Sequence, residues 1–274
     1  MSNLEITILG CGGSDGVPQI GCYCNVCNSH IPQNKRTRAS ILVEINGFRI
    51  LIDAGPDLRQ QSLREGIDSV DAVLITHAHF DHIAGIGDLK LFMKNGYPTP
   101  VFSDQGTAAI LERNFQYAFY SKNKLYPAIL SSNSFCGNFS IIGCDLPIVP
   151  FKQGHGKTYS YGFRIGDFAY STDVSELDDI AYDELVGVKL WIVDYVRYFK
   201  SPTHFAIDDT IAAILRIRPE RAILTHMCHD INYELMSRIL PQGLELAYDG
   251  MKLKHIFQLV TDDCRSQSHQ KCHE

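Results

Sequence analysis

The chain lacks the features that mark membrane-spanning, secreted and nucleic-acid-coating proteins. No apolar run approaches the roughly 18 residues that a bilayer-spanning helix requires. Residues 1–5 do not begin a basic segment followed by an apolar core, so no secretory signal is expected. The net charge of −6 argues against broad binding to nucleic acid, which requires a basic surface.

The chain also lacks a low-complexity linker that would divide its 274 residues. Hydrophobic residues make up 45% of it and charged residues 20%, which is the composition of an ordinary globular protein with ample core material. We therefore predict one domain over residues 1–257, followed by a flexible polar tail over residues 258–274.

A short stretch rich in histidine and aspartate organises the sequence. It contains four potential metal ligands within six residues, His77, His79, Asp81 and His82. An apolar run of strand length precedes it at residues 70–75, and a segment that can open a helix follows it. Strand-to-helix loops of this kind hold the reactive groups of α/β folds. Imidazole is a common metal ligand and a carboxylate offsets the charge of a second cation, so the stretch predicts metal binding.

Three later residues extend this set of ligands. His155, Asp173 and His226 each follow an apolar run of strand length. The carboxyl ends of such strands meet at one edge of an α/β sheet, so these side chains are expected to join the histidine-rich stretch. Five imidazoles and two carboxylates suit Zn, Mn or Fe without choosing among them. Two ions about 3.5–4 Å apart can activate water and stabilise both oxygens of an in-line displacement.

The nine cysteines are an odd number in a chain without a secretory signal. This usage is typical of the reducing cytosol, where clustered thiols are more often metal ligands than disulfide partners, so we expect a cytoplasmic protein. Three thiols form a C-x-C-x2-C cluster, Cys22, Cys24 and Cys27. A closed tetrahedral zinc site needs a fourth ligand. His229 is preferred because His226 already belongs to the other set, and Cys228 and His30 are the alternatives.

Alternating apolar runs and helical patterns predict an α/β fold. An Asn-Gly pair between two β-rich segments predicts a hairpin over residues 40–52. We expect one helix from about residue 82 to 95 and another over residues 105–117. Residues 120–137 are rich in Ser, Asn and Gly and are expected to form an irregular flap over the site. A strand is predicted at residues 139–142.

Residues 10–16 form a glycine-rich loop after the first predicted strand. We prefer the interpretation that glycine lets the backbone pass close to the site. Binding of phosphate by backbone N–H groups is the alternative.

The stretch from His77 to His82, with His155, Asp173 and His226 in order after it, resembles the metallo-β-lactamase superfamily. Asp53 matches the supporting position of that family. The resemblance covers almost all of residues 1–257 and implies an αββα sandwich, with two sheets face to face and helices outside. It implies a dinuclear site in which one ion is held by His77, His79 and His155, the other by Asp81, His82 and His226, and Asp173 bridges them.

A narrower resemblance involves the cysteine cluster and two other motifs. Gly16-Val17-Pro18, the segment from Gly21 to Cys27, and the segment from Thr225 to His229 resemble the PhnP-like phosphodiesterases, whose named activity opens a five-membered cyclic ribose phosphate. This resemblance implies manganese at the dinuclear site, where the ligand set also suits zinc, and zinc at the Cys₃His site. It also implies a histidine near the substrate phosphate, matched by His204. Asp81 and His204 are the expected catalytic residues.

The expected function is hydrolysis of a small cyclic or diester phosphate, in which His204 assists the leaving group. Arg197, Lys200 and Lys157 are candidates for binding a second phosphate. The alternatives are a thioesterase or lactonase, a tRNA-processing nuclease, against which the net acidity counts, and a non-catalytic metal-binding or carrier protein like PqqB. The expected partner is thus a small phosphodiester rather than nucleic acid or a membrane, and a homodimer stays open.

Overall fold

Two β-sheets lie face to face in the computed structural model, which describes residues 2–121, 123 and 125–257. The seven strands of the first sheet are β1 (Ser2–Gly10), β2 (Ser40–Ile45), β3 (Phe48–Ile52), β4 (Ala72–Leu74), β5 (Thr99–Asp104), β6 (Leu130–Phe135) and β13 (Lys252–Phe257). The six strands of the second are β7 (Ile148–His155), β8 (Thr158–Ile165), β9 (Phe168–Ser171), β10 (Leu190–Asp194), β11 (Arg221–Thr225) and β12 (Leu244–Leu246). Their spatial orders are β13-β1-β2-β3-β4-β5-β6 and β12-β11-β10-β9-β8-β7.

Seven α-helices accompany these sheets in the described residues. They are α1 (Leu58–Glu65), α2 (Phe80–Ile83), α3 (Gln105–Asn114), α4 (Gln116–Phe119), α5 (Asp179–Leu185), α6 (Ile207–Ile217) and α7 (Tyr233–Ser237). Short 3₁₀ helices occupy Pro32–Asn34 and Ile86–Phe92. None of the described helices has both the length and the apolar character that crossing a bilayer requires. The predicted αββα sandwich is confirmed.

Strand periodicity divides the apolar residues between two layers. On β2, Ile41 and Val43 point into the large core that both sheets share, where they join Trp191 of the second sheet. Leu42 points the other way, into a smaller core that contains Leu58 of α1. Side chains of a strand alternate between faces, so a continuously apolar strand can fill both layers at once.

The parallel parts of the sheets bring functional positions to one edge. In the first sheet β3, β4, β5 and β6 run parallel, and in the second β9, β10, β11 and β12 do. β7 shares the direction of β9 because each pairs antiparallel with β8. The residues that follow β3, β4, β7, β9, β10 and β11 therefore gather at the same edge of the sandwich.

The hairpin predicted over residues 40–52 is confirmed, but the helix predicted from 82 to 95 is wrong. Helix α2 ends at Ile83, and the chain continues as the 3₁₀ helix. The Gly85 N–H donates to Ala54 O at 2.8 Å instead of to a carbonyl of its own helix, and the Ala54 N–H donates to His82 O at 2.8 Å. These contacts with the end of β3 turn the chain away from a helical path.

Three further predictions are corrected between residues 105 and 142. The single helix predicted over 105–117 divides into α3 and α4 at Phe115, where φ is −122° and ψ is 38°. The segment 120–137 is not wholly irregular, because residues 130–135 form β6, which pairs with β5 through backbone hydrogen bonds that need no particular side chain. The strand predicted at 139–142 reduces to one bridge between Phe139 and Ile148.

Two features stand apart from the sequence predictions. Helix α5 is present although no pattern predicted it. The predicted tail, residues 258–274, lies outside the described residues, so the domain boundary at 257 stays a prediction.

Gly85 provides a test of how tightly the metal-binding stretch is held against β3. A Cβ at Gly85 would overlap the carbonyl oxygen of Gly55 and approach Leu58 Cβ at 2.9 Å. Overpacking of this kind typically costs about 1–3 kcal/mol, so Gly85→Ala should lower the free energy of unfolding by about 3 kcal/mol in urea denaturation. Gly137→Ala is the control, because no atom lies within 4 Å of its Cβ position. Equal stability of the two variants would contradict the prediction.

Candidate metal centres

The predicted ligands outside the histidine-rich stretch lie where strands end. His155 is the last residue of β7, Asp173 lies two residues after β9, and His226 follows β11 directly. Asp173 and His226 have positive φ values of 54° and 60°, and Asp53 after β3 has one of 65°. Residues with a Cβ rarely adopt this left-handed conformation. The surrounding packing must maintain it, and such local strain is concentrated at functional sites.

His77, His79 and His155 form the first ligand group. His79 Nδ1 lies 2.8 Å from His77 Nε2 and 3.2 Å from His155 Nε2. Two atoms that each bind a zinc ion at about 2.1 Å lie about 3.4 Å apart in tetrahedral geometry, so this spacing fits one ion. The His155 Nδ1–H donates to Thr203 O at 2.7 Å, which leaves Nε2 as the metal-binding atom.

Asp81, His82 and His226 form the second group. Asp81 Oδ2 lies 3.1 Å from His82 Nε2 and 3.7 Å from His226 Nε2. Within the described residues, both Nε2 atoms are buried and neither has a hydrogen-bond partner. A buried polar atom without a partner costs about 1–3 kcal/mol, and a cation between these atoms would remove that cost. The donor set therefore fits a metal ion.

Asp173 faces both groups with one oxygen each. Its Oδ1 lies 3.1 Å from both His82 Nε2 and His226 Nε2. Its Oδ2 lies 3.7 Å from His77 Nε2 and 3.5 Å from His155 Nε2. The two groups have ligand atoms that all lie within 4.8 Å of one another inside each group, with Asp173 common to both. The structure thus brings the predicted ligands together in two groups that share Asp173, and the binding of one ion by each group stays a prediction.

Asp53 supports this arrangement without joining either group. It is fully buried and accepts hydrogen bonds from Thr76 N at 2.9 Å and Thr76 Oγ1 at 2.9 Å. It also accepts from His82 Nδ1–H at 2.7 Å, which directs His82 Nε2 toward the second group.

The electrostatics of the two groups differ. Burial lowers the pKa of His77 and the pKa of His155, which favours the neutral imidazole that binds metals. Burial acts in the same direction on His82 and His226, but Asp173 and the other carboxylates outweigh it and raise both pKa values, that of His226 to about 9. The carboxylates thus draw positive charge into the second group. Protons supply this charge when no metal is bound, so metal binding should release protons.

The cysteine cluster closes on His229. The ligand atoms of Cys22, Cys24, Cys27 and His229 all lie within 4.8 Å of one another, and His229 Nδ1 is 3.5 Å from Sγ of both Cys22 and Cys24. A hydrogen bond from the Cys27 N–H lowers the pKa of Cys24 to about 6, which favours the metal-binding thiolate. The alternative ligands Cys228 and His30 do not belong to this group in the described chain, and Cys228 Sγ donates to Asp230 instead.

His204 lies beside the two histidine groups. Its ring stacks on His226 with 5.0 Å between ring centroids, and its Nε2 is 3.8 Å from Asp173 Oδ2. Its Nδ1–H donates to Asp194 Oδ2 at 2.9 Å. The hydrogen bond fixes the tautomer, so Nε2 is the nitrogen that faces the candidate dinuclear site.

Asp194 is a site residue that the sequence analysis missed. It is fully buried at the end of β10, and its Oδ1 lies 3.7 Å from Nδ1 of His226. One carboxylate therefore lies behind both His204 and His226. A signal for it was present, since Asp194 follows an apolar run of strand length, as Asp173 does.

A cavity of about 190 Å³ opens beside His204 and His226. Its polar lining residues include Ser14, Asp15, Arg197, Ser201 and Thr203, and Val196 is the one aliphatic residue among the described residues that line it. Of the cations proposed to bind a second phosphate, Arg197 lines this cavity. Lys157 lines a different groove, together with Lys152, and Lys200 is exposed and lines neither.

The glycine-rich loop passes close to its neighbours, as its preferred interpretation requires. A Cβ on Gly10 would overlap Arg38 O, and one on Gly12 would lie 2.9 Å from Arg36 O. Gly13 lies against His226, whose carbonyl oxygen is 3.5 Å from the Cβ position. The loop also lines the cavity, so the interpretation as a phosphate-binding loop stays a prediction.

The comparisons with known proteins agree with this geometry. A family model described as a beta-lactamase superfamily domain matches residues 48–227, which include the whole dinuclear ligand set. A crystal structure described as a new diphosphatase from the PhnP family is 34% identical with a TM-score of 0.87, and the match covers 93% of this chain and 98% of that one.

Two curated relatives are similar over part of their length. An octanoyltransferase of Porphyromonas gingivalis is 34% identical over 254 residues, which are 91% of this chain and 51% of that protein. The coenzyme PQQ synthesis protein B of Methylorubrum populi is 34% identical over 125 residues, which are 40% of each chain. The chain thus spans about half the length, or less, of these curated relatives. The family model and the nearly end-to-end match to the diphosphatase show that the chain belongs to the metallo-β-lactamase superfamily and, within it, to the PhnP family.

Proposed function

We propose that this chain is a dinuclear-metal phosphodiesterase that hydrolyses a small cyclic or diester phosphate. One observation carries the proposal: Asp173 is shared by two ligand groups, and the Asp194–His204 pair lies next to it at a small polar cavity. The PhnP-family diphosphatase supports action at a phosphoric ester or anhydride.

The residues assigned to metal binding are those of the two groups. His77, His79 and His155 would hold one divalent ion, Asp81, His82 and His226 the other, and Asp173 would bridge them. When bound, two such ions would supply a water activated for attack and positive charge opposite the negative charge that develops on the phosphoryl and leaving oxygens. Asp53 and the Thr203 carbonyl keep His82 and His155 in the tautomer that presents Nε2.

His204 is proposed to donate a proton to the leaving oxygen. Asp194 accepts the hydrogen bond from His204 Nδ1–H, so Nε2 faces the site and is the atom from which a proton would pass to the leaving oxygen. The side chain is 15% exposed and borders the cavity, so a substrate can reach it. A general acid needs this combination of a fixed donor atom and an accessible face.

The cavity argues against an acyl substrate. A thioesterase or lactonase is the alternative within the superfamily, and one relative is named an octanoyltransferase, so an acyl substrate has to be considered. An eight-carbon chain requires an apolar groove, since each buried CH₂ contributes about 0.8 kcal/mol. Val196 alone offers an aliphatic side chain among the described residues of the lining, whereas Arg197, Ser14 and Ser201 offer groups that bind phosphate oxygens.

The second metal site is proposed to be structural. Three thiols and one imidazole form a closed donor set for zinc, with no position left for substrate. A metal held there would tie the loop 22–27 to His229, three residues from His226.

The first prediction that follows from the proposed function concerns the substrate class. The chain loaded with Mn²⁺ or Zn²⁺ should hydrolyse bis(p-nitrophenyl) phosphate and a five-membered cyclic ribose phosphate, because the dinuclear ligand set and the polar cavity suit a phosphoryl centre. An octanoyl thioester should not be hydrolysed above background. Each assay follows product release in the holoprotein and in the metal-depleted chain.

Asp173→Asn is the control for contaminating hydrolases, because it weakens the bridge between the two groups. Turnover of the thioester alone would reject the proposed function. A chain that holds both metal ions yet hydrolyses none of these esters would favour the non-catalytic PqqB-like alternative.

The second prediction concerns His204. His204→Ala should lower kcat for a diester with an unactivated sugar leaving group by about 10²–10⁴-fold, the usual contribution of a general acid. The loss should be much smaller with p-nitrophenolate, a leaving group that departs without a proton. His30→Ala is a matched control, since His30 is exposed and outside both metal groups. Equal losses with both leaving groups would show that His204 does not act as the acid.

The third prediction concerns the Cys₃His group. Cys24→Ser should lose about one equivalent of zinc and lower the unfolding temperature, because the binding energy of a structural zinc is also folding energy. Cys144→Ser is the control, since Cys144 is half-buried outside the group and its thiol donates to Leu146 O. Metal analysis of the purified variants decides the matter, and unchanged zinc in Cys24→Ser would exclude the site.

A further inference from the structure

Arg36 carries a buried positive charge without a carboxylate partner among the described residues. It is 2% exposed, and each of its three side-chain nitrogens donates to a neutral oxygen. Nε donates to Gln33 O at 3.1 Å, Nη1 to Cys228 O at 3.0 Å, and Nη2 to Asn34 Oδ1 at 3.1 Å and Ile231 O at 2.7 Å. Burying an unpaired cation costs several kcal/mol, so this guanidinium must contribute something that a neutral side chain would not.

Two of these acceptors belong to the segment 226–231, which carries a ligand of each candidate metal centre. Cys228 lies between His226 and His229, and Ile231 lies just beyond. Arg36 therefore donates hydrogen bonds to this segment on both sides of His229. His226 leaves β11 with a φ of 60°, a conformation that needs support from neighbouring structure.

The backbone of the 226–231 segment has other anchors nearby. Met227 N donates to Cys11 O at 2.8 Å, and Cys228 N donates to Val196 O at 3.0 Å. These bonds hold residues 227 and 228, and the Ile231 N–H donates to Cys228 O at 3.3 Å within the segment itself. Within the described residues, the Arg36 side chain adds bonds to the carbonyl oxygens of both Cys228 and Ile231, one on each side of His229.

On its other side Arg36 pairs with Val17, which packs with Val26 and Cys27 of the cysteine loop. Its backbone pairs with Val17 through two hydrogen bonds of 2.8 and 2.7 Å. Its neighbour Lys35 donates to Cys27 O at 2.8 Å, and Asn34 Oδ1 also accepts from Tyr233 N at 2.9 Å. The segment 34–36 thus lies between the cysteine loop and the 226–231 segment and bonds to both.

We propose that Arg36 is a positioning residue that couples the two metal centres. It holds the 226–231 segment so that His226 faces Asp173 and His229 faces the cysteines at the same time. Occupation of the Cys₃His group and the affinity of the dinuclear centre for its ions then depend on each other through this segment. The inference rests on the two proposed metal centres and not on the identity of the substrate.

The test measures metal retention rather than activity. The full chain, loaded with Zn²⁺, is dialysed against a graded series of EDTA concentrations, and the metal content of the folded fraction is determined. Arg36→Met leaves all seven dinuclear ligands in place, yet it should release those ions at about 10–100-fold lower EDTA, the usual effect of losing a group that orients a ligand. Arg36→Lys should give a partial loss, because an ammonium keeps the charge but lacks the planar donor fork.

Arg38→Lys is the matched control, because Arg38 lies two residues away and bonds to Ser14 O and Asp57 instead. It should retain metal like the unaltered chain. A purely structural role of Arg36 would lower the unfolding temperature and leave EDTA resistance unchanged in the folded fraction. If Arg36→Met does not fold, Arg36→Lys and Asn34→Ala decide, since Asn34 orients the guanidinium. Unchanged EDTA resistance in both would overturn the proposal.

A double-mutant cycle tests the coupling itself. His229→Asn removes a ligand of the Cys₃His group and should by itself weaken retention at the dinuclear centre. If Arg36 acts through the same segment, Arg36→Lys combined with His229→Asn should lose little more than the worse single variant. Additive losses would show that the two residues act independently and would overturn the coupling.

Discussion

The structure depends on the burial of the Asp173 carboxylate between two groups of imidazoles. A carboxylate removed from water requires opposite charge nearby. Ring nitrogens of five histidines lie 3.1–3.8 Å from the buried Asp173 carboxylate. Each oxygen of Asp173 faces a different group, so one side chain defines both ion positions. The shifts in the histidine pKa values follow from this charge: burial keeps His77 and His155 neutral, whereas His82 and His226 are drawn toward the charged form.

Placing that carboxylate requires an unusual backbone. Asp53, Asp173 and His226 all adopt left-handed conformations within two residues of the end of a β-strand. Asp53 and Asp194 then lie behind the imidazoles and fix the tautomers of His82 and His204. The strands fix where the backbone of each site residue lies, and the left-handed conformations that follow them fix the direction in which its side chain points. This division explains why the residues of one site come from so many separate segments of the chain.

The two candidate metal centres are connected through one short backbone segment. His226 and His229 share one short segment, and that segment is held by the buried Arg36 on one side and by Cys11 and Val196 on the other. The cysteine loop therefore belongs to the architecture of the hydrolytic site although it lies outside the region matched by the family model. The polar cavity beside His204 is consistent with a small phosphoric ester, and its lining combines the glycine-rich loop with the loop that carries Arg197.

The amino-acid sequence by itself determined the features that depend on neighbouring residues. The hairpin at 40–52, the run of ligands from His77 to His82 and the cysteine cluster follow from local patterns. The order of the later strand-end residues carried the family resemblance, and that resemblance implied two ligand groups. Tertiary structure alone decided the rest. Hydrogen bonds from Ala54 to His82 and from Gly85 to Ala54 ended a helix that local periodicity favours. Strand β6 formed from mostly polar residues because its backbone pairs with that of β5. Tertiary structure also decided the choice of His229 over Cys228 and the pairing of Asp194 with His204. Sheet packing sets the distances between residues far apart in the chain, and local sequence carries no information about it.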